Sequence, residues 1–244
     1  MADIAADIAA VVNFERLVSQ SQFYRLFPDK DMEQPDGSMI HARRKYAKHL
    51  EFFEAGAKYR ERCMIAANRV GKTLGAGGFE TAAHLTGRYP HWWPGRRFTA
   101  PVKWWAVGRT NETTRDIVQA TLLGQVTRDG RKGFDGTGVI PGHALGGLTW
   151  KQGVNDLADT IKVRHASGGW SVLGFKSYNQ GRASFEGTSQ HGIWLDEEPP
   201  LDVYGECLIR TATTNGIMML TFTPLDGMSD VVMSFLPELR PETS

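Results

Sequence analysis

The chain has 244 residues, 41% hydrophobic and 23% charged, which is the apolar content of a globular protein with one sizeable core. A net charge of +1 supplies no overall field for nucleic acid, so any contact with DNA rests on local patches. Two cysteines exclude a disulfide scaffold, no apolar run approaches the length of a membrane span, and the opening MADIAADIAAVV lacks the basic region of a secretory signal.

Residues 5–27 read as helical, because Ile8, Val11, Val12, Phe14, Leu17, Phe23, Leu26 and Phe27 recur at helix-like spacing. Pro28, Asp29, Pro35, Asp36 and Gly37 mark a loop. A second helix is expected over 42–55, with Tyr46, Leu50 and Phe53 apolar and Arg43, Arg44, Lys45 and Lys48 basic; its basic side faces either phosphates or water.

The stretch 63–73, CMIAANRVGKT, reads as a short apolar strand, a tight turn carrying Asn68, Arg69 and Val70, and Gly71-Lys72-Thr73 opening a helix. Such a loop suits a nucleotide because successive backbone N–H groups close around phosphate oxygens and the helix N-terminus adds partial positive charge. In that reading the cradle runs from Ala66 through Asn68, Arg69, Val70 and Gly71, Lys72 reaches the β- and γ-phosphates, and the Thr73 hydroxyl ligates Mg2+. Ala66 stands where the full pattern has Gly, so an ordinary helix start that contains GKT is the competing reading. The helix runs to about residue 86 and contains Gly75, Gly77 and Gly78, each costing roughly 1 kcal/mol relative to Ala in an exposed interior. It must therefore lie close against a neighbour.

Residues 89–95, YPHWWPG, form an excursion whose tryptophans either stack on bases or pack in a core. A strand over 104–108 follows, then a helix capped by Thr110 or Asn111, with Glu112 in its first turn and Gly124 past its end. Residues 127–159 are Gly-rich and irregular, placing Arg128, Arg131 and Lys132 in a loop that faces DNA or is a plain surface insertion. Alternation over 160–165 and 170–178, around Ser167-Gly168-Gly169, predicts an antiparallel hairpin added to a parallel core.

Arg182, in the segment 180–188, either reaches a γ-phosphate in its own subunit or a neighbour's, or forms a structural salt bridge. The stretch 191–200, HGIWLDEEPP, is an apolar strand that ends in paired carboxylates and is cut off by two prolines. Ligands of an open parallel sheet sit beyond the carboxyl ends of its strands, where both the Lys72 loop and Asp196 would emerge. Asp196 would hold Mg2+, usually through water, and Glu197 would polarise an attacking water; a solvated acidic strand end is the alternative. Residues 187–191 depart from a nucleophile elbow because His191 replaces its closing Gly, and the absence of HExxH and CxxC removes support for structural zinc. A helix is expected over 201–211, then a buried strand over 217–224 whose Thr221 and Thr223 either sense a γ-phosphate or satisfy local backbone groups.

The order AANRVGKT, GIWLDEEPP, TFTPLDG, with the flanks EFFEAGAKYRERCMIAANRVGKT and HLTGRYPHWWPGRRF, resembles the ATPase half of the large terminase subunit of tailed double-stranded DNA phages, from about residue 46 onward. The resemblance implies an α/β fold of the P-loop NTPase class (ASCE type), with a mostly parallel central sheet, the added antiparallel hairpin and a small N-terminal helical subdomain. It implies hydrolysis of ATP with Mg2+ to drive double-stranded DNA into an empty capsid. The partners implied are the portal protein, the small terminase subunit and further copies in a homo-oligomeric ring, in the host cell cytoplasm and away from any membrane. Matched position by position, Lys72 and Thr73 are the phosphate-loop residues, Asp196 the metal-binding acid, Glu197 the catalytic glutamate, and Thr221 and Thr223 the coupling motif. Arg69 is the candidate for a loop arginine that neutralises phosphate charge, and Arg182 the candidate arginine finger.

The expected division is an N-terminal helical or lid segment over 1–58, an ATPase core over 59–226, and a C-terminal helix with the start of a linker over 227–244. Family members continue into an RNase H-like nuclease domain, so with its last residue at Ser244 the chain is expected to be an excised or naturally truncated ATPase domain that does not cut DNA. Two rivals stand beside this reading. One is a helicase-like or RecA-like DNA-dependent ATPase, for which 244 residues are too few to build two complete lobes. The other is a fragment that binds portal, small subunit or nucleotide without turnover.

Overall fold

The computed structural model describes residues 11–12, 21–34, 36–67, 70–128, 130–224 and 229–236. Seven strands form one sheet: β1 (Glu61–Ile65), β2 (Lys103–Gly108), β3 (Leu145–Trp150), β4 (Ala158–Arg164), β5 (Trp170–Ser177), β6 (Gly192–Asp196) and β7 (Ile217–Phe222). Their spatial order is β1-β7-β6-β2-β5-β4-β3, with the first five mutually parallel and the last two joined on by antiparallel pairings. Strands buried on both faces read as continuous apolar runs rather than alternations. The central strands β6 (GIWLD) and β7 (IMMLTF) are buried at every position.

Among the described residues five helices cover the sheet: α1 (Ala47–Lys58), α2 (residues 72–86, a π-helical run Lys72–Gly78 continuing into Phe79–Thr86), α3 (residues 111–123), α4 (Leu201–Ala212) and α5 (Asp230–Phe235). One core cluster joins Phe52 and Phe53 of α1, Phe79 and Leu85 of α2 and Val118 and Leu122 of α3 to Trp104, Phe175 and Trp194 of the sheet. The other joins Val203 and Cys207 of α4 and Val231 and Val232 of α5 to Val107, Leu195 and Leu220. The result is a three-layer α/β arrangement.

The hairpin is antiparallel, as its alternation predicts, but its second strand β5 pairs in parallel with β2. The parallel core therefore includes one arm of the hairpin. The segment 127–159 also holds an ordered strand that the glycines conceal: β3, LGGLTW, pairs with β4 through a bulged register. Gly146 and Gly147 remove the alternation from which a strand is read; the strand pairs with β4 alone, at the edge of the sheet, where glycine is tolerated.

The helix expected over 42–55 starts later. Arg43–Lys45 form a 3₁₀ turn, and Tyr46, at φ −111° and ψ 45°, separates it from α1. Three of its four basic residues pair locally, Lys45 with Asp31 at 2.7 Å, Lys48 with Glu51 at 2.7 Å and Arg43 with Asp29, while Arg44 is exposed. Most of the N-terminal helix, over 5–27, lies outside the described residues; Gln22–Arg25 forms one helical turn. Trp93 is buried and packs on Phe53, with ring centroids 4.8 Å apart, while Trp92 stacks on Phe79. Trp93 is a core residue, and Trp92 is half-buried against the same cluster.

The glycines of α2 sit where close approach was required. A Cβ on Gly77 would lie 2.1 Å from the Trp194 ring, one on Gly75 3.0 Å from His49, and one on Gly78 3.0 Å from Thr121. Beneath α1 and α2, the buried Arg62 guanidinium donates to both carboxylate oxygens of Glu80, at 3.0 and 2.6 Å, and to the Phe52 carbonyl at 2.7 Å. His84 completes the cluster, 3.0 Å from Glu80. This network ties α1, β1 and the helix behind the Lys72 loop into one body.

Candidate functional site

Parallel strands deliver their carboxyl ends to one rim, so β1, β7, β6 and β2 bring Ala66, Thr223, Asp196 and Arg109 to the same edge of the sheet. From β1 the chain turns at Gly71, whose φ of +82° lies in the left-handed region that glycine enters without steric cost, and starts α2 at Lys72. Asn68 and Arg69 lie outside the described residues; Val70 is exposed beside them.

The Lys72 ammonium is directed back onto this rim. It donates to the Ala66 carbonyl at 2.8 Å, the Ala67 carbonyl at 2.6 Å and the Thr223 hydroxyl at 2.9 Å. Three protons meet three acceptors, so an incoming anion would exchange for these partners rather than find a bare charge. Thr223 in turn donates to the Ala66 carbonyl at 2.9 Å, stitching the end of β7 to the end of β1.

One residue further on, the Thr73 hydroxyl donates to Asp196 Oδ1 at 3.1 Å. The same oxygen accepts from Thr221 at 2.8 Å, and Thr221 accepts from the Trp194 indole at 2.8 Å. Asp196 and Thr221 are direct cross-strand partners, which places their side chains on one face. Burial pushes the Asp196 carboxyl up to about 7, the Glu197 charge acting in the same sense against the hydrogen bonds from Thr221 and Thr73 and the charge of Lys72. A buried carboxyl whose ionised form is so poorly compensated is one that a cation would stabilise. Two hard oxygen donors, Asp196 and Thr73, fit Mg2+, which binds through one or two protein oxygens plus water and phosphate rather than in an all-protein cage. Among the described residues no cluster of three or more His, Cys, Asp or Glu forms such a cage.

Glu197 follows at φ +66°, a left-handed conformation that a glutamate adopts only when its surroundings impose it. They do so from both sides: its N–H donates to the Thr221 carbonyl at 3.0 Å, and the buried Tyr178 hydroxyl donates to the Asp196 and Glu197 carbonyls at 3.1 and 2.9 Å. The turn opens onto a cavity of about 520 Å³ lined by Glu197, Thr223, Arg109, Tyr178 and Asn179. Glu198 also lines it and bonds the Ser229 hydroxyl.

Arg182 lies elsewhere in its bonding. It pairs with Glu206 of α4 at 2.9 Å and with Glu186 at 2.9 Å, the salt-bridge alternative of the sequence reading. Three supporting side chains have roles that the sequence did not assign. Tyr178 and Trp194 read as apolar positions of strands, and nothing local shows that their polar atoms are spent on the Asp196 turn. His49, buried on α1, approaches the Gly71 carbonyl at 3.3 Å; burial holds its imidazole below the ordinary value against that hydrogen bond, which favours the neutral ring donating from Nε2.

The family model described as "Terminase large subunit, T4likevirus-type, N-terminal" matches residues 63–243. The chain belongs to the terminase large subunit family. The large terminase subunit of Salmonella phage P22 is 42% identical over 210 residues, covering 78% of this chain and 41% of that protein. Two structures of the large terminase from a thermophilic bacteriophage, one of them in complex with ADP, match with TM-scores of 0.52 and 0.54 at 12% identity, covering 80% of this chain and 42% of theirs. That likeness shows the fold, an α/β domain built on a mostly parallel sheet. This terminase chain spans about two fifths of the length of its relatives. No helix among its described residues is long and apolar enough to cross a membrane.

Proposed function

We propose that this terminase chain binds ATP with Mg2+ and hydrolyses it to power translocation of double-stranded DNA into a procapsid. The observation that carries the reading is the convergence of Thr73 on Asp196 and of Lys72 on Thr223 at one sheet rim. Lys72 neutralises phosphate charge after releasing the Ala66 and Ala67 carbonyls, with Arg69 as a second cation from the loop. Thr73 and Asp196 would hold Mg2+, which would supply charge neutralisation at the phosphates. Glu197, held in its strained turn in the wall of the cavity, orients and polarises the attacking water. Thr221 and Thr223 join these groups to β7, so a change at the phosphates is transmitted to the strand and to the chain that follows it.

Arg182 is proposed as the arginine presented to a neighbouring subunit of a homo-oligomeric ring, exchanging Glu186 and Glu206 for phosphate when the ring assembles. Arginine fingers contribute about 10³ to 10⁵ in rate, so an isolated subunit turns over slowly. The organisation proposed is a lid segment over 1–58, the ATPase core over 59–226 and a linker region over 227–244. The ring works on the portal with the small terminase subunit, in the host cell cytoplasm.

The test is phosphate release at saturating ATP together with equilibrium ATP binding. Glu197→Gln is expected to abolish release and retain binding. Turnover that survives the substitution removes Glu197 from the chemistry, and absence of ATP binding by the native chain removes the whole reading.

A further inference from the structure

The two faces of the sheet are unequally covered. Over β5 and β4, α2 and α3 pack on one side, whereas on the other α4 and α5 are centred on β6 and β7. Register settles which side chains emerge on that second side beyond the reach of α4. Lys103, Val172 and Lys162 form one cross-strand row, Trp170 and Arg164 the row before it, and Gly174, Thr160 and Thr149 the row after it.

Lys103, Lys162, Arg164 and Thr149 are exposed, and Trp170 is 43% exposed. Among the described residues none of the three cations has an ion-pair partner, in contrast to Arg128 and Lys132, which Asp156 neutralises. The acid of β4, Asp159, is exposed at the bulge beside Thr160, and its charge acts on Lys151 and Lys176. The Arg164 guanidinium is braced over the Trp170 ring at 5.2 Å, and the hydroxyls of Thr149 and Thr160 pair at 2.8 Å. At the edge, Gly147 leaves the β3 backbone bare, with only the Lys162 stem within 4 Å of where a Cβ would stand.

We propose that this open sheet face, carrying Lys103, Lys162 and Arg164, docks the phosphate backbone of double-stranded DNA. Lys162 and Arg164 lie two strand residues apart, roughly 7 Å, and Lys103 two strands from Lys162, roughly 10 Å. A duplex carries a charge about every 3.4 Å of axis on each strand, so three cations at this density face two or three phosphates of one backbone. The face is cationic and hydroxyl-bearing, and phosphate contacts of this kind position a duplex without reading its sequence. A single strand is the poorer fit, because its bases need aromatic platforms and, among the described residues, the one exposed ring of this face, Trp170, is already covered by Arg164.

The choice of partner rests on the motor reading above, and the experiment separates the two. Anisotropy of a short labelled duplex of mixed sequence is titrated with the whole chain over a range of salt. Each phosphate contact contributes about 0.9 to the slope of log affinity against log salt, so Lys162→Ala with Arg164→Ala is expected to lower that slope by about 2, equally for duplexes of different sequence. Exchanging the two as Lys162→Arg and Arg164→Lys is expected to keep it, as is Lys48→Ala with Lys58→Ala on α1. ATP turnover without DNA is expected to be unchanged in the double alanine variant. An unchanged slope in that variant, or no duplex binding by the native chain, overturns the proposal whatever Glu197→Gln does to turnover. Loss of self-association by sedimentation with duplex binding intact overturns it as well, since the face would then be an interface between copies.

Discussion

Thr73 and Asp196 stand 123 residues apart in the chain, yet the hydroxyl of one donates to the carboxylate of the other across 3.1 Å. The contact exists because β1 and β6, separated only by β7, end on the same rim. If these two oxygens hold the cation, Thr73→Ala lowers affinity for Mn2+ in the presence of ATP by at least about tenfold, read by the paramagnetic signal of the free ion, while Thr73→Ser keeps it. Equal affinity in the alanine variant would move the cation elsewhere.

The left-handed turn at Glu197 sets stability against activity. A β-carbon at positive φ costs roughly 1–2 kcal/mol, and asparagine tolerates that region far better than glutamate. Glu197→Asn is therefore expected to raise the melting temperature by about 2–4 °C per kcal/mol recovered, while phosphate release is lost. A melting temperature that falls would show that the Glu197 side chain contributes more than the turn costs.

Glycines in two helices make a paired test of packing. At Gly77 a methyl group would meet the Trp194 ring at 2.1 Å, whereas at Gly205 of α4 nothing lies within 4 Å. Gly77→Ala is expected to destabilise by about 1–3 kcal/mol in urea unfolding and, because Trp194 holds Thr221 on Asp196, to slow turnover too. Gly205→Ala is expected to stabilise by up to about 1 kcal/mol with turnover unchanged. Equal effects would show that close approach is not why α2 tolerates its glycines.

Glu80 sits fully buried between Arg62 and His84. Burial works to raise its carboxyl, and the Arg62 charge with the His84 hydrogen bond outweighs it, so the group lies below the ordinary carboxylate range. A depressed carboxyl contributes stability that is present above its unfolded value and is lost as pH falls through the folded one. Arg62→Met, which strands the carboxylate, is expected to cost about 3–5 kcal/mol at neutral pH and less in acid, where Glu80 takes up a proton. The companion Arg62→Met with Glu80→Leu is expected to regain most of that loss; a double variant no more stable than the single one would mean that shape rather than charge matters there.

The paired lysines around the start of α1 and the packed tryptophans show how neighbours act on residues whose surroundings the sequence leaves open. Lys45 and Lys48 carry the same charge whatever they face, and that Asp31 and Glu51 lie beside them is seen only in the fold. The strand inside 127–159 escaped a reading of the sequence for a related reason. Alternation is a record of one buried face, and a glycine pair on an edge strand writes none.

What the sequence determined by itself was the chemistry at each strand end: a lysine and a hydroxyl after β1, two carboxylates after β6, two hydroxyls at the close of β7. Those are properties of residue type and of position relative to an apolar run, and both are local. The tertiary structure alone decided which oxygen meets which, that the hairpin enters the sheet through a parallel strand, and that Tyr178, Trp194 and His49 spend their polar atoms around the rim. Cross-strand register and the clearance over a glycine join residues far apart along the chain, so they are set only when the sheet has closed and the space between its layers has been filled.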